Sequence, residues 1–479
     1  MTIRKLIAVG VVTLLAGTAT TALAQADAAQ VPGITASTSA APLSMRDAIL
    51  VAIDSNPEIA QAQYNTEAIQ FERKQAQGLY SPRVDVAGSA GIRYLDNPIR
   101  RSQNIDGDAL YPISGQINAE WTVIDFGRRS GELRRQAARV DGASLRVVER
   151  SEFIAQQVAR EYLNVLLQQR VVAASLDNVA FHEVLVNDLG SGVAQGSISI
   201  ADQQQAQERL QAARVRVTEA QQSLDEAKIR LRRLTGLDID AVIMPPELAE
   251  ALPSTLPDAI GLARTKNPLV REAEADVDAA HALADSVKAD QLPRIGVDLT
   301  GRAGHDIDGV NHGTRDVQAN VFLRWNIFDG GINRANYQEM VRRASQARYR
   351  LYDVERAAEE DVRIAWTTLG TQTQVSKELE LQSRVSDDLL LSYRSQFNVG
   401  RRSLLDVLDA QNARYNTQIR LETSRFSAMF ARYQVLASVN GFLTALDVAP
   451  AAGSGAKERD RFHYGPPKPA ELERRRKPN

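Results

Sequence analysis

Two hydrophobic periods alternate along this chain, and each appears twice. From Ile113 to Val123, the residues Ile113, Gly115, Ile117, Ala119, Trp121 and Val123 fall on one side. Ser114, Gln116, Asn118, Glu120 and Thr122 fall on the other. The same alternation returns with Val317, Ala319, Val321, Leu323, Trp325 and Ile327 against Gln318, Asn320, Phe322, Arg324 and Asn326. Shorter partners precede each: Val84, Val86, Gly88, Ala90 and Ile92, then Ile295, Val297, Leu299, Gly301 and Ala303. Strict period two over about ten residues predicts a strand with one apolar and one polar face. These strands are longer than the usual five or six residues.

After each strand pair the period changes. No proline lies between Pro112 and Pro245, nor between Pro293 and Pro450. These spans are rich in Ala, Gln, Arg, Glu and Leu, all good helix formers. The pattern predicts helices over about Arg128–Asn187 and Asn333–Phe397, breaks at Gly196 and Gly400, and returning helices over Ile200–Leu234 and Leu404–Val439. At 1.5 Å per residue the longer ones reach roughly 90–100 Å. Helices this long with narrow apolar stripes need neighbours along their whole length.

The two halves are an internal duplication. "NPEIAQAQ" at Asn56 returns as "NPLVREAE" at Asn267, and "SPRVDVAGSAG" at Ser81 as "LPRIGVDLTGRAG" at Leu292. "WTVIDFG" at Trp121 returns as "WNIFDGG" at Trp325, and "QGSISIADQQQAQ" at Gln195 as "VGRRSLLDVLDAQ" at Val399. "LTGL" at Leu234 answers "VNGF" at Val439. Five matches in one order, spaced by about 204–211 residues, set the repeats at 43–246 and 247–448.

Composition changes the picture at the ends. Arg4 and Lys5, an apolar run from Leu6 to about Ala16, and Ala22-Leu23-Ala24 read as a secretory signal peptide, 1–24. Residues 25–42 read as a flexible lead, and 449–479, with "ELERRRKPN", as a disordered tail with a solvated basic end. After the signal, no apolar run approaches the roughly 18 residues of a membrane helix. The net charge of −2 points away from nucleic acid as a partner. There is no cysteine, hence no disulfide and no lipid on an N-terminal cysteine.

An exported chain with four amphipathic strands cannot close a barrel alone, since about eight strands are the minimum. Open edges in lipid leave backbone groups unsatisfied at several kcal/mol each. If these strands cross a membrane, several chains share one barrel, with Trp121 and Trp325 in an interfacial aromatic belt and the loops Asp96–Tyr111 and Gly304–Arg315 outside.

Over residues 43–446 the chain resembles the TolC-like outer membrane channel proteins of Gram-negative bacteria. The likeness rests on the duplication, on "WTVIDFG" and "WNIFDGG", and above all on "VGRRSLLDVLDAQNARYN". It implies a mixed α+β membrane protein: a homotrimer sharing a twelve-stranded barrel, four strands per chain, continued by a long periplasmic tunnel of helical hairpins. It also implies a periplasmic adaptor (membrane fusion) protein and an inner-membrane ABC transporter or RND pump as partners, and no cofactor. The tail would then be periplasmic. The tip wording and the missing lipidation cysteine favour type I protein secretion; the alternative is the outer membrane channel of a multidrug efflux pump.

The resemblance also bears on the carboxylates of the tip. Ser403-Leu404-Leu405-Asp406 is a capping box, and Ser199-Ile200-Ala201-Asp202 is its twin. A cap accounts for Asp202 and Asp406 but not for Asp409, whose repeat partner is Gln205. By resemblance, Asp406 and Asp409 line the tip aperture, six carboxylates per trimer, where they would attract cations. Asp202, Arg402 and Phe397 match the family's gating contacts, with phenylalanine at 397 replacing the family's tyrosine and its hydroxyl. The acidic pair could also suggest an enzyme, but no nucleophile–base set or metal cluster accompanies it. "HDIDGVNH" at His305 lacks the downstream glutamate of a calcium loop and reads as an exposed loop. No glycine-rich phosphate loop is present, so ATP-driven work would belong to a partner.

Overall fold

The structure, a computed structural model, describes residues 42–309 and 312–464. The expected signal peptide lies outside the described residues. Each repeat opens with two short helices: α1 (Met45–Ser55) and α2 (Pro57–Gly78), then α6 (Leu256–Lys266) and α7 (Pro268–Lys288). Asn56 and Asn267 each cap the second helix ahead of a proline at its first position, accepting from Glu58 N and Leu269 N at 2.9 Å. The repeated "NP" is therefore a helix start.

Strands β1 (Arg83–Ala90), β2 (Ile113–Ile124), β3 (Arg294–His305) and β4 (Gly313–Arg324) form one antiparallel sheet in sequence order. Ile92, Trp325 and Ile327 fall beyond strands expected to include them. The register aligns the faces that the sequence alternation separates. Val86, Ile117, Gly301 and Val317 share one row, and Asp85, Asn118, Thr300 and Gln318 share the next. Polar contacts gather on the second face, where Arg324 Nη1 donates to Glu120 Oε1 at 2.7 Å and Asn320 Nδ2 to Asp298 Oδ2 at 2.9 Å. The apolar side is bare, with Val86, Val317 and Val321 each more than three-quarters exposed. Among the described residues, β1 and β4 are left as unpaired edges.

The loop between β1 and β2 is more built than its polarity suggests. It holds a short helix, α3 (Pro98–Ser102), whose Arg100 is 1% exposed. Arg100 donates to Gly309 O at 2.6 Å, to Asp108 O at 2.8 Å and to Ile105 O. One cation thus pins two loops together. His305 pairs with Asp306 at 2.7 Å in the same cluster.

The repeated "IDFG" and "FDGG" turn strand into helix. Asp125 accepts from Gly127 N and Arg129 N, and Asp329 accepts from Gly331 N and Asn333 N, at 2.9–3.3 Å. These carboxylates satisfy the orphan N–H groups at the starts of α4 (Arg128–Ala194) and α8 (Ile332–Asn398). Each of these helices spans 67 residues, about 100 Å at the helical rise. α4 runs seven residues past the expected Asn187, and α8 one past Phe397. The returning helices are α5 (Ile200–Thr235) and α9 (Leu404–Ser438).

The first half of α4 packs between α2 and α7, and its second half between α5 and α9. At the upper seam, a Cβ on Gly131 would stand 2.7 Å from Ser286 N, so the α4–α7 approach admits no side chain there. Helix α8 packs on α7 and then on α9. The layer therefore runs α5–α4–α9–α8 in its lower half. Between the halves a core of α1, α4, α9 and the closing α10 (Phe442–Ala445) includes Met45, Ile49, Tyr162, Tyr433 and Phe442.

The expectation of a disordered tail from residue 449 is corrected over 449–464. Ala451 is buried, and its N–H donates to Ser151 Oγ at 3.2 Å. Asp141, 1% exposed, accepts from Glu458 N at 2.8 Å and Arg459 N at 2.9 Å. The Arg459 guanidinium bridges Asp141 on α4 (3.2 Å) and Asp278 on α7 (3.0 Å). Tyr464 donates to Arg134 O at 2.7 Å. The composition looked disordered because the two aspartates that hold Arg459 lie 318 and 181 residues away. Residues 465–479 lie outside the described residues. Replacing Arg459 with Ala leaves Asp141 without its cation, and loss of a buried pair's partner costs about 3 kcal/mol. Thermal unfolding followed by helical circular dichroism should show that loss.

Candidate aperture at the helical tips

Both hairpins turn by the same device. Gly196 and Gly400 sit at φ +70° and +71°, a region open to glycine. Ser197 N donates to Gly192 O, and Arg401 N to Gln396 O, both at 2.9 Å, closing a Schellman turn. Three residues past each glycine, Ser199 and Ser403 cap the returning helices, accepting from Asp202 N at 3.3 Å and Asp406 N at 3.2 Å.

A buried seam sets the two tips at one level. Gln411 Nε2 donates to Asn178 Oδ1 at 2.8 Å, and Ser175 Oγ shares a 2.8 Å hydrogen bond with Tyr415 OH. All four residues are buried, so a slip along the seam would strand polar groups away from water. His182, nearby on α4, has its pKa lowered, first by burial and then by Arg216 and Arg209. Below the seam, Leu185, Leu189, Ala206, Leu404 and Leu408 form a separate apolar cluster.

Asp406 is engaged as the cap: Ser403 Oγ donates to its Oδ2 at 2.8 Å. Asp409, one turn on, is exposed and has no hydrogen bond or ion pair among the described residues. Arg402 donates to Gln396 Oε1 at 3.2 Å, lies 3.8 Å from Asp406 Oδ2, and stacks its guanidinium 4.1 Å from the Tyr393 ring. Phe397 packs against both tip clusters. The Asp202 N–H donates to the capping Ser199, and among the described residues its carboxylate meets neither Arg402 nor Phe397. Tyr393, one helical turn before Phe397, went unnoticed in the sequence; its i, i+4 spacing was the available signal.

At the other end, Trp121 Nε1 donates to Tyr80 O at 2.9 Å and Trp325 Nε1 to Gln291 O at 3.1 Å. Each indole ties a strand end to the turn before its partner strand. Phe126, Ile327 and Phe328 stand exposed around them, an apolar collar wider than the two tryptophans suggested. Among the described residues no helix is long and apolar enough to cross a membrane, and no three His, Asp or Glu side chains gather as a metal site.

The sequence profile of the outer membrane efflux protein family matches residues 48–237 and 259–441. Protein CyaE of Bordetella pertussis is 24% identical over 306 residues, 62% of this chain and 62% of that protein's length. The alkaline protease secretion protein AprF of Pseudomonas aeruginosa is 22% identical over 400 residues, 81% of this chain and 82% of AprF. Among solved structures, the CmeC outer membrane channel of Campylobacter jejuni superposes with a TM-score of 0.71 at 14% identity, covering 83% of this chain and 86% of CmeC.

The tip chemistry yields a pair of expectations. Ser403→Ala removes a cap and costs about 1 kcal/mol of helix stability. Asp409→Asn breaks no bond within the chain. Thermal unfolding of the two variants should separate accordingly.

Proposed function

Because the chain belongs to the outer membrane efflux protein family and is an outer membrane protein with a large periplasmic helical part, we propose that it is the exit duct of a tripartite export machine. The duct is a passive homotrimer. The observation that carries this reading is the unfinished edge of the single chain. β1 and β4 have no partners on their outer sides, and an open edge in hydrocarbon is not tolerated. The helical layer is unfinished at the same side. α4 and α8 are repeat counterparts of equal length, yet α4 buries 27 residues and α8 buries six. In the order α5–α4–α9–α8, the neighbour that α8 lacks is the α5 of a second copy. Three copies give twelve strands, enough to close a barrel.

In this reading the apolar row of Val86, Ile117 and Val317 faces lipid, with Trp121 and Trp325 at the periplasmic interface. Asp406 and Asp409 ring the tip, and Asp202, Arg402 and Phe397 meet across neighbouring hairpins there. A periplasmic adaptor and an energised inner-membrane transporter open the tip. The cargo we favour is protein, as in type I secretion with an ABC transporter. AprF, a named secretion protein, supports this at 22% identity over most of both chains. The second reading, a drug-efflux duct served by an RND pump, is supported by the family description. Deleting the gene separates the two: loss of a secreted protein from the medium supports the first, and drug sensitivity with normal secretion the second.

Light scattering in detergent should give three chains per particle; a stable folded monomer with its strands intact would defeat the shared barrel. Asp409→Ala should weaken cation preference and multivalent-cation block in planar bilayers. Unchanged selectivity with the trimer intact would leave Asp409 an ordinary surface charge.

A further inference from the structure

Where α9 ends at Ser438 and α7 begins at Pro268, the helical layer is interrupted. Asn267 Nδ2 bridges the break to Ser438 O at 3.3 Å. Beside it, α4 and α8 bound a cavity of about 490 Å³, a volume suited to a small organic molecule. Its walls include Phe153, Leu269 and Ile364 and three carboxylates, Glu149, Glu152 and Asp361; no lysine, arginine or histidine lines it among the described residues.

The three acids differ in what already neutralises them. Glu149 is paired with Arg150 at 2.5 Å and Arg146 at 3.6 Å. Glu152 is 6% exposed; one oxygen accepts from Leu443 N at 3.3 Å, and the other, Oε2, has no partner among the described residues. Asp361 stands exposed at the rim. An unpaired buried carboxylate beside an apolar wall lacks only a counter-charge.

We propose that this cavity is a binding site for a small organic cation with an apolar body, its ammonium group meeting Glu152, Asp361 at the entrance, and its body lying on Phe153, Leu269 and Ile364. The site is independent of what the duct exports.

Burial pushes the Glu152 carboxyl up to about 8. It is therefore mostly protonated at neutral pH, and cation binding releases that proton to solvent. Partial desolvation at the rim, and then Glu360, also raise the Asp361 carboxyl. The lining residues of α7 and α9 contribute no titratable group. Proton and cation compete for one carboxylate, so affinity should rise about tenfold per pH unit up to about pH 8.

The test is calorimetric titration of the full chain in detergent with benzyltrimethylammonium, against benzyl alcohol as the neutral control. Binding of the cation to the unsubstituted protein, at least tenfold weaker and without pH dependence in Glu152→Gln, supports the site. Glutamine mimics the protonated acid, so this variant should keep its helical circular dichroism. Ile364→Lys, at an exposed wall position, supplies an internal cation and should block the ligand independently. No binding to the unsubstituted protein, equal binding to Glu152→Gln, or equal binding of benzyl alcohol would overturn the proposal.

Discussion

A strand edge in hydrocarbon has no water to bond its N–H and C=O groups, and this constraint governs how the rest of the chain must be arranged. The four strands pair completely among themselves and leave β1 and β4 open outward. The sheet's apolar face is bare in the single chain, with Val86, Val317 and Val321 largely exposed. On the proposed reading such a sheet is a sector of a larger surface. The helical layer hanging from it has the same incompleteness on the same flank, in the thinly buried α8. On the proposed reading, strands and helices call for the same neighbour, and a closed ring of copies supplies it to both at once.

The duplication explains how one chain builds its sector. Each repeat carries the same joints: an asparagine cap before proline, an aspartate turning strand into helix, a glycine closing the tip and a serine restarting the helix. Each joint satisfies backbone groups locally. The repeats can therefore be equal in plan while unequal in burial. α4 lies between α5 and α9, and α8 lies at the margin. The inequality comes from position in the layer.

Polar contacts concentrate where register has to be held. Asn178 with Gln411 and Ser175 with Tyr415 fix the hairpins against sliding in a seam otherwise rich in alanine and leucine. Arg459 fastens α4 to α7 above, and Arg100 fastens one loop to the other at the far end of the sheet. Glu152 departs from this pattern. It is buried to the same degree, but it has a backbone amide for one oxygen and nothing for the other.

The sequence by itself determined the elements. Period-two alternation over Ile113–Val123 and Val317–Leu323 is a local consequence of the pleat, and the capping serines and hairpin glycines act within a few residues of themselves. Strand positions, the two hairpins and the capping role of Asp406 were legible for that reason. The tertiary structure alone decided what depends on distant partners. Residues 449–464 read as part of a disordered tail, because nothing near them in sequence announces Asp141 or Asp278. The burial of Arg100 was not legible within the loop Asp96–Tyr111, because its acceptor Gly309 lies on another loop. The cavity at Glu152 went unread because four separate helices bound it. Short-range order is written in spacing; the burial of a charge is settled only when the chain brings its partners, or fails to bring one.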